Sequence, residues 1–476
     1  MKRWKILFST LSAAFLMFIF SDHAIAVPAS PQWAKTYGGS GDDQTNDIKQ
    51  TADGGYIVAG NTYSFGAGQA DIWILKLDGT GIIQWQKTYG GAGGDYGSAV
   101  EQTTDGGYVI AGTTSSFGAG SSDMWVIRLD GSGNIQWQKT YGGSEYDSAN
   151  SIHQTADGGY IIAGSTMSFG SGSYDVWIIK IDGNGNITWQ KTYGDMNIND
   201  IDYSGQGSIQ QTADGGYVLA AQSYIDVNCP EVWVIKLNSD GNLQWQKYGS
   251  ISCYYGAYYT NAILQTPDKG YIVAGSVGSA IGGGGFDLWL MRLSYNGELQ
   301  WEKEYDGGGE DQLSSIKKTG DCGYVLAGSS SVAIYGIPGW DKWDFSVVRL
   351  DSNGNVRWNK RYGGTGAEGI SAIHQTTEGA FIAAGHTDSF GEGGNDIWAV
   401  KLLTDDSIAF YPSSGATMGV FDMQVSSVPV VVSTPSEIVV TTTNIFGVDT
   451  NASAHDSSAR VSAQAGRPKG RLSQRK

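Results

Sequence analysis

Charge and sulfur are both scarce in this chain. Lysine, arginine, aspartate and glutamate make up 16% of 476 residues, while glycine alone supplies 70. That balance excludes a chiefly helical protein and points to a turn-rich β protein. Cysteine occurs three times, as Cys229, Cys253 and Cys322. An odd count leaves at least one thiol free or paired between chains. Histidine occurs five times, at His23, His153, His374, His386 and His455, and no His-Cys-Asp spacing recommends a metal site. No Ser-His-Asp set stands out either, so no catalytic residue and no cofactor is assigned. Long apolar runs are missing beyond the N-terminus, which excludes a further membrane span.

The N-terminus reads as a secretory signal over residues 1–26. Lys2, Arg3 and Lys5 precede an apolar stretch from Ile6 to Phe20, and Ala24-Ile25-Ala26 forms a small-x-small cleavage site. The expected compartment is extracellular, periplasmic or the cell envelope, with no membrane span after cleavage. The chain carries a formal charge of −17, and residues 1–26 hold three bases and one acid, so the remainder stands at −19. An acidic surface disfavours nucleic acid and anionic lipid as partners.

What is abundant is repetition. Trp33, Trp85, Trp137, Trp189, Trp245, Trp301 and Trp358 recur at spacings of 52, 52, 52, 56, 56 and 57 residues. A period near 50 marks a solenoid or a propeller. One unit runs Ser98 to Gly112, Asp123 to Leu129 and Ile135 to Tyr141, and divides into four strands, A to D. Asp105-Gly106 is a tight hairpin signal between A and B. Strands B and C are apolar on both faces, as in a sheet sandwiched between neighbours. Strand D alternates, with Ile135, Trp137, Lys139 and Tyr141 on one face, so it belongs at the outer edge.

Strand B begins near Tyr56, Tyr108, Tyr160, Tyr217, Tyr271, Tyr324 and Phe381, which counts seven units. The pattern predicts an all-β chain, a seven-bladed β-propeller of four-stranded blades over residues 32–402. Residues 27–31 are a short linker. The last unit stops after strand C at Leu402, and Gln32–Tyr37 is the displaced D strand that closes the ring. Residues 403–448 form a Ser/Thr/Val-rich, β-prone extension, and 449–476 a disordered basic tail. The tryptophans read as packing. Each buries about 200 Å², or ~5 kcal/mol gross at ~25 cal/mol/Å².

The run Trp33-Ala-Lys-Thr-Tyr-Gly-Gly, Asp53-Gly-Gly-Tyr-Ile-Val-Ala-Gly60, Asp71-Ile-Trp-Ile-Leu-Lys-Leu-Asp78 and Trp85 resembles the repeats of secreted bacterial β-propellers of the SBBP and delta-sixty type. The resemblance covers about residues 32–402 and implies an extracellular or envelope propeller, with no shared catalytic residues to carry over. Asp78-Gly-Thr-Gly81 with Trp85 also looks like the tryptophan-docking motif of quinoproteins, but the gap between Asp and Gly is shorter here.

Two kinds of position remain as functional candidates. Asp71, Asp123, Asp175, Glu231, Asp287, Asp344 and Asp396 recur in every unit, and a sevenfold copy favours capping of Gly-rich loops over ligand binding. Departures from the repeat are more informative. The D–A and B–C loops lengthen in the middle blades and carry Tyr224, Tyr254, Tyr255, Tyr258, Tyr259, Trp340 and Trp343. Aromatic loop residues on one face suit a glycan or a peptide or protein ligand. Cys229, in a B–C loop, and Cys253, in the next D–A loop, share that face and are expected to form a disulfide. Cys322, on the opposite face, is expected to stay free. The leading reading is a monomeric, secreted, non-enzymatic binding or structural module. The alternative is an enzyme, either a lyase or hydrolase acting on polysaccharide or a quinoprotein-like dehydrogenase.

Overall fold

The computed structural model describes residues 33–402, apart from 171–173, 195–207, 227–228, 251–257, 280–284, 307–308, 332–342 and 365. It also describes four short segments of the tail. The described part of 33–402 is strand and turn. It forms seven antiparallel four-stranded blades, built from consecutive strands in blades 1 to 6. Blade 1 runs Asp43–Gln50, Tyr56–Thr62, Asp71–Leu77 and Ile83–Tyr89. The innermost A strands of blades 2 to 7 are Asp95–Gln102, Asp147–Gln154, Ser208–Gln211, Tyr258–Gln265, Asp311–Lys318 and Glu368–Gln375.

Blade 7 borrows its outer strand. Trp33–Tyr37 pairs antiparallel with Asp396–Leu402, in the register Trp33↔Lys401 to Tyr37↔Ile397. The D strand expected at the N-terminus therefore closes the ring. Closure removes the open edges that a broken ring would expose.

Adjacent blades are bound by three repeated devices. The first is the tryptophan. Trp33 of blade 7 meets Tyr56 of blade 1 edge to face at 5.8 Å, and Trp85–Tyr108, Trp137–Tyr160, Trp189–Tyr217 and Trp245–Tyr271 repeat the contact at 5.6 to 6.2 Å. The same ring covers the C–D turn of the next blade. A Cβ on Gly81, whose φ is +76°, would stand 2.9 Å from Trp33, and Gly133 faces Trp85 in the same way. The likeness to tryptophan docking is thus a matter of packing.

The second device is a tyrosine. The hydroxyls of Tyr37, Tyr89, Tyr141, Tyr193 and Tyr305 donate to the carbonyls of Gly81, Gly133, Gly185, Gly241 and Gly354 at 2.6–2.7 Å. Blade 4 has lost one residue here. Tyr248 takes the place that Thr192 holds in blade 3, and stacks on Trp233 at 5.5 Å instead.

The third device is a glutamine at the end of strand A. It accepts a backbone N–H from the A–B turn of its neighbour: Ala52 to Gln102, Thr104 to Gln154, Ala156 to Gln211, Ala213 to Gln265, Gly320 to Gln375 and Thr377 to Gln50, at 2.7–3.1 Å. The position between blades 5 and 6 is the exception. There Pro267 has no N–H to give, and Lys318 stands where the other blades have glutamine.

The tail adds outer strands. Gln424–Ser426 pairs with Leu299–Asp306 of blade 5, Val431–Ser433 with Leu243–Ser250 of blade 4, and Val439–Thr441 with Ile187–Gly194 of blade 3. Ser462–Ala463, from the segment expected to be disordered, pairs with Ile83–Tyr89 of blade 1.

Candidate functional site

The inner strands build a collar around the axis. Each described A strand long enough to show it carries a β-bulge at one position: Asn46, Ser98, Asn150, Asn261, Ser314 and Ser371 are the residues left without a partner on strand B. A bulge breaks the alternation of faces and re-aims one side chain. Five of these residues line one cavity of about 680 Å³, with Tyr96, Thr113, Ser115, Ser122, Tyr146, Ser148, Ala149 and Ile370. Among the described lining residues only Ala149 and Ile370 are apolar, and none is a carboxylate, amine or imidazole. The polar groups are held in place. Asn46 Nδ2 donates to Gly97 O at 2.7 Å, Ser115 and Ser122 share a hydrogen bond of 2.8 Å, and Ser148 and Ser165 one of 2.9 Å.

The cavity lies towards the face of the D–A and B–C loops, over blades 1 to 3 with help from 6 and 7. Among the described residues, neither Tyr259 nor Trp343 is in its lining. Tyr254, Tyr255, Trp340 and Cys253 lie outside the described residues, as do the side chains of Tyr224, Tyr258 and Cys229. The backbone corrects the loop assignment. Tyr224 pairs with Pro230, and Cys229 opens strand C by pairing with Asp226. Tyr258 and Tyr259 belong to a strand A, and Trp343 begins a strand C opposite Ser331. The Gly-rich connection of blades 1 to 3 is replaced there by strand formers such as Tyr224 and Ile225, so the hairpin continues further. Tyr259 meets Phe286 edge to face at 5.1 Å, a packing contact. Cys322 is free and exposed.

The repeated acids cap loops. Asp71 Oδ2 accepts from the amides of Ala67 and Gly68 at 2.7 and 3.3 Å, Asp123 from Ala119 and Gly120 at 2.8 and 3.3 Å, and Asp396 from Glu392 at 2.6 Å. Among the described residues no group of three or more His, Cys, Asp or Glu is placed to hold a metal ion. No described helix is long and apolar enough to cross a membrane.

The collar escaped the sequence reading because a bulge in strand A has no glycine to announce it. A signal was present in hindsight. The bulge position is Asn or Ser in six blades, whereas its neighbours on the strand vary in charge and size.

Seven four-stranded sheets around a polar axial cavity define a β-propeller. No family model matches the chain. It is 24% identical over 267 residues to the regulatory protein FlaEY of Caulobacter vibrioides, a stretch that is 50% of this chain and 27% of that protein. The chain thus spans little more than a quarter of that relative's length. Among solved structures, it is similar to a protein of unknown function from Dyadobacter fermentans, with a TM-score of 0.42 and 9% identity over 78% of this chain and 98% of the other. It is also similar to an endo-1,5-alpha-L-arabinanase from Thermotoga petrophila, with a TM-score of 0.26 and 12% identity over 76% and 98%. These likenesses transfer no chemistry to the collar.

Proposed function

We propose that this chain is an exported, non-enzymatic β-propeller of the secreted bacterial repeat type, and that it binds a hydroxyl-rich ligand such as a glycan in the axial collar. The observation that carries the reading is the lining itself. Hydroxyls and amides from five blades converge on one cavity, and such groups both donate to and accept from sugar hydroxyls. Glycoside cleavage uses two carboxyl groups flanking the bond, and the described lining offers hydroxyls and amides instead, which supports binding.

The test is a glycan array followed by calorimetry. Ser98→Leu and Ser371→Leu put bulk into the collar and should abolish binding while leaving the melting temperature nearly unchanged. Binding that survives both substitutions would refute the collar as the site. Loss on replacing Tyr258, Trp340 and Trp343 with alanine would move the site to the middle blades.

A further inference from the structure

Beneath the uncharged collar lies a charged ring. Three residues further along the same inner strands, Lys49 pairs with Ile57, Glu101 with Val109, His153 with Ile161, Lys317 with Val325 and His374 with Ile382. The register is identical in all five blades, so these residues share one level. At ~3.3 Å per residue that level is about 10 Å deeper than the bulge residues.

Their side chains converge on the axis. Lys317 belongs to blade 6, yet the charges acting on it are Asp47 and Lys49 of blade 1 and Glu101 of blade 2. His374 of blade 7 is acted on by Lys317, Lys49 and His153, from blades 6, 1 and 3. Groups on blades that do not touch can meet only across the centre. Gln210 and Leu264 complete the level without charge.

Both carboxylates here are already engaged. Glu101 Oε2 lies 3.0 Å from His153 Nδ1. Asp47 Oδ2 lies 3.5 Å from Lys49 Nζ and accepts from the Val100 amide at 3.1 Å. Lys317 has no ion pair among the described residues. His374 Nε2 is shut off from solvent and has no hydrogen-bond partner there. Burial, then the surrounding lysines, keep this imidazole neutral well below its usual range. Lys49 and Lys317 oppose a proton on His374, and Asp47 and Glu101, which act on Lys317 from blades 1 and 2, leave that imidazole nitrogen without a partner.

We infer that this ring is an anion subsite, taking one carboxylate or phosphate group of a ligand whose hydroxyl-bearing part fills the collar. The inference rests on the collar reading and narrows it to acidic saccharides, whether uronic acids or sugar phosphates. An anion seated beside His374 would offset the two lysines that keep its imidazole neutral and favour the protonated form. Shielding from bulk water strengthens that effect. His374 takes up a proton as the anion binds, which a neutral sugar would not cause.

The experiment is calorimetric titration of the intact protein with glucuronate, glucose and inorganic phosphate, followed by imidazole NMR. Glucuronate should bind at least about tenfold more tightly than glucose, equivalent to about 1.4 kcal/mol, and His374 should gain its proton on binding. Lys317→Met should remove that advantage and leave glucose binding unchanged, while Lys317→Arg, which keeps charge and fold, should retain it. Equal affinity for glucuronate and glucose, or a glucuronate advantage that survives Lys317→Met, overturns the anion subsite and leaves the collar standing. Phosphate binding that survives Lys317→Met marks an adventitious ion only, and also overturns it. Lys317-dependent phosphate binding without sugar binding upholds the ring and refutes the collar.

Discussion

The two rims of the propeller solve opposite electrostatic problems. At the A–B rim, a lysine or arginine near the end of each strand C meets the acid of its own turn. Lys76–Asp53, Arg128–Asp105, Lys180–Asp157, Lys236–Asp214, Arg292–Asp268 and Lys401–Glu378 lie 2.5–3.0 Å apart, and Arg349 pairs with Asp321. Most of these cations are buried while their acids stay near water. Burial pushes the carboxyls up, but the facing cation outweighs it, helped by a turn threonine at Asp53, Asp157 and Asp321 and by Gln50 at Glu378, and all four are held down to about 2.

At the D–A rim, carboxylates face each other instead. Asp71 of blade 1 and Asp95 of blade 2 both crowd Gly90, where an added Cβ would stand 1.8 and 2.8 Å from their oxygens, and Asp123 and Asp147 crowd Gly142 in the same way. Burial first, then the neighbouring acid, pushes Asp71 and Asp123 up, and Asp396 rises beside Asp43 for the same reasons. Such like charges are tolerable because backbone amides cap Asp71, Asp95, Asp123, Asp147, Asp396 and Asp43. The lesson is that one repeat, copied seven times, writes two stability terms of opposite sign.

The comparison can be broken most severely by opening the ring, since both rims close through the same strand. Deleting residues 27–38 should cost the propeller its single cooperative melt, and unchanged melting would refute closure. Next in size is Gly133→Ala. The substitution forces a side chain into positive φ and against Trp85, at a cost of about 2–4 kcal/mol by chemical denaturation.

The rims themselves are separated by pH. Depressed carboxyls stabilise above their unfolded pKa, and that contribution is lost as pH falls from about 4 towards 2. Raised carboxyls stabilise at low pH, and their contribution is lost as pH rises through the folded pKa. Melting temperature should therefore peak within the ordinary carboxylate range, near pH 4 to 5 (about the unfolded pKa).

Glu302 sharpens the second limb. It stands where Gln86, Gln138, Gln190 and Gln246 stand in other blades, and burial raises it to about 7. Glu302→Gln should raise melting by a few degrees at pH 8 and hardly at pH 5. Smallest is the missing staple. Pro267→Ala with Lys318→Gln should show a favourable coupling of about 1 kcal/mol in a double-mutant cycle, with neither change sufficient alone.

Much of this was legible in the sequence and some was not. The tryptophan period, the Asp-Gly hairpins and the displaced first D strand are local signals, and each predicts the element found. The collar and the charged ring depend on how a bulge turns one residue in each blade towards an axis that no pair of neighbouring residues defines. His153 and His374 were recognisable as equivalent, but their meeting with Lys317 is a property of the closed ring. Tyr224, Tyr258, Tyr259 and Trp343 depart from the repeat, and departure reads as a loop where the backbone continues as strand.

The closing strand also sets an order of events. Asn395 donates to Asp42 across 353 residues of chain, and the strand beside it is made first and paired last. During synthesis Trp33–Tyr37 has no partner until Asp396–Leu402 exists, so its pairing belongs to the slow, non-local class. Two chains folding side by side each offer a waiting strand and an empty berth. Exchange between them would give linked rings in which every blade is native, and crowding during folding, more than any weakness of the finished ring, would decide how often that happens.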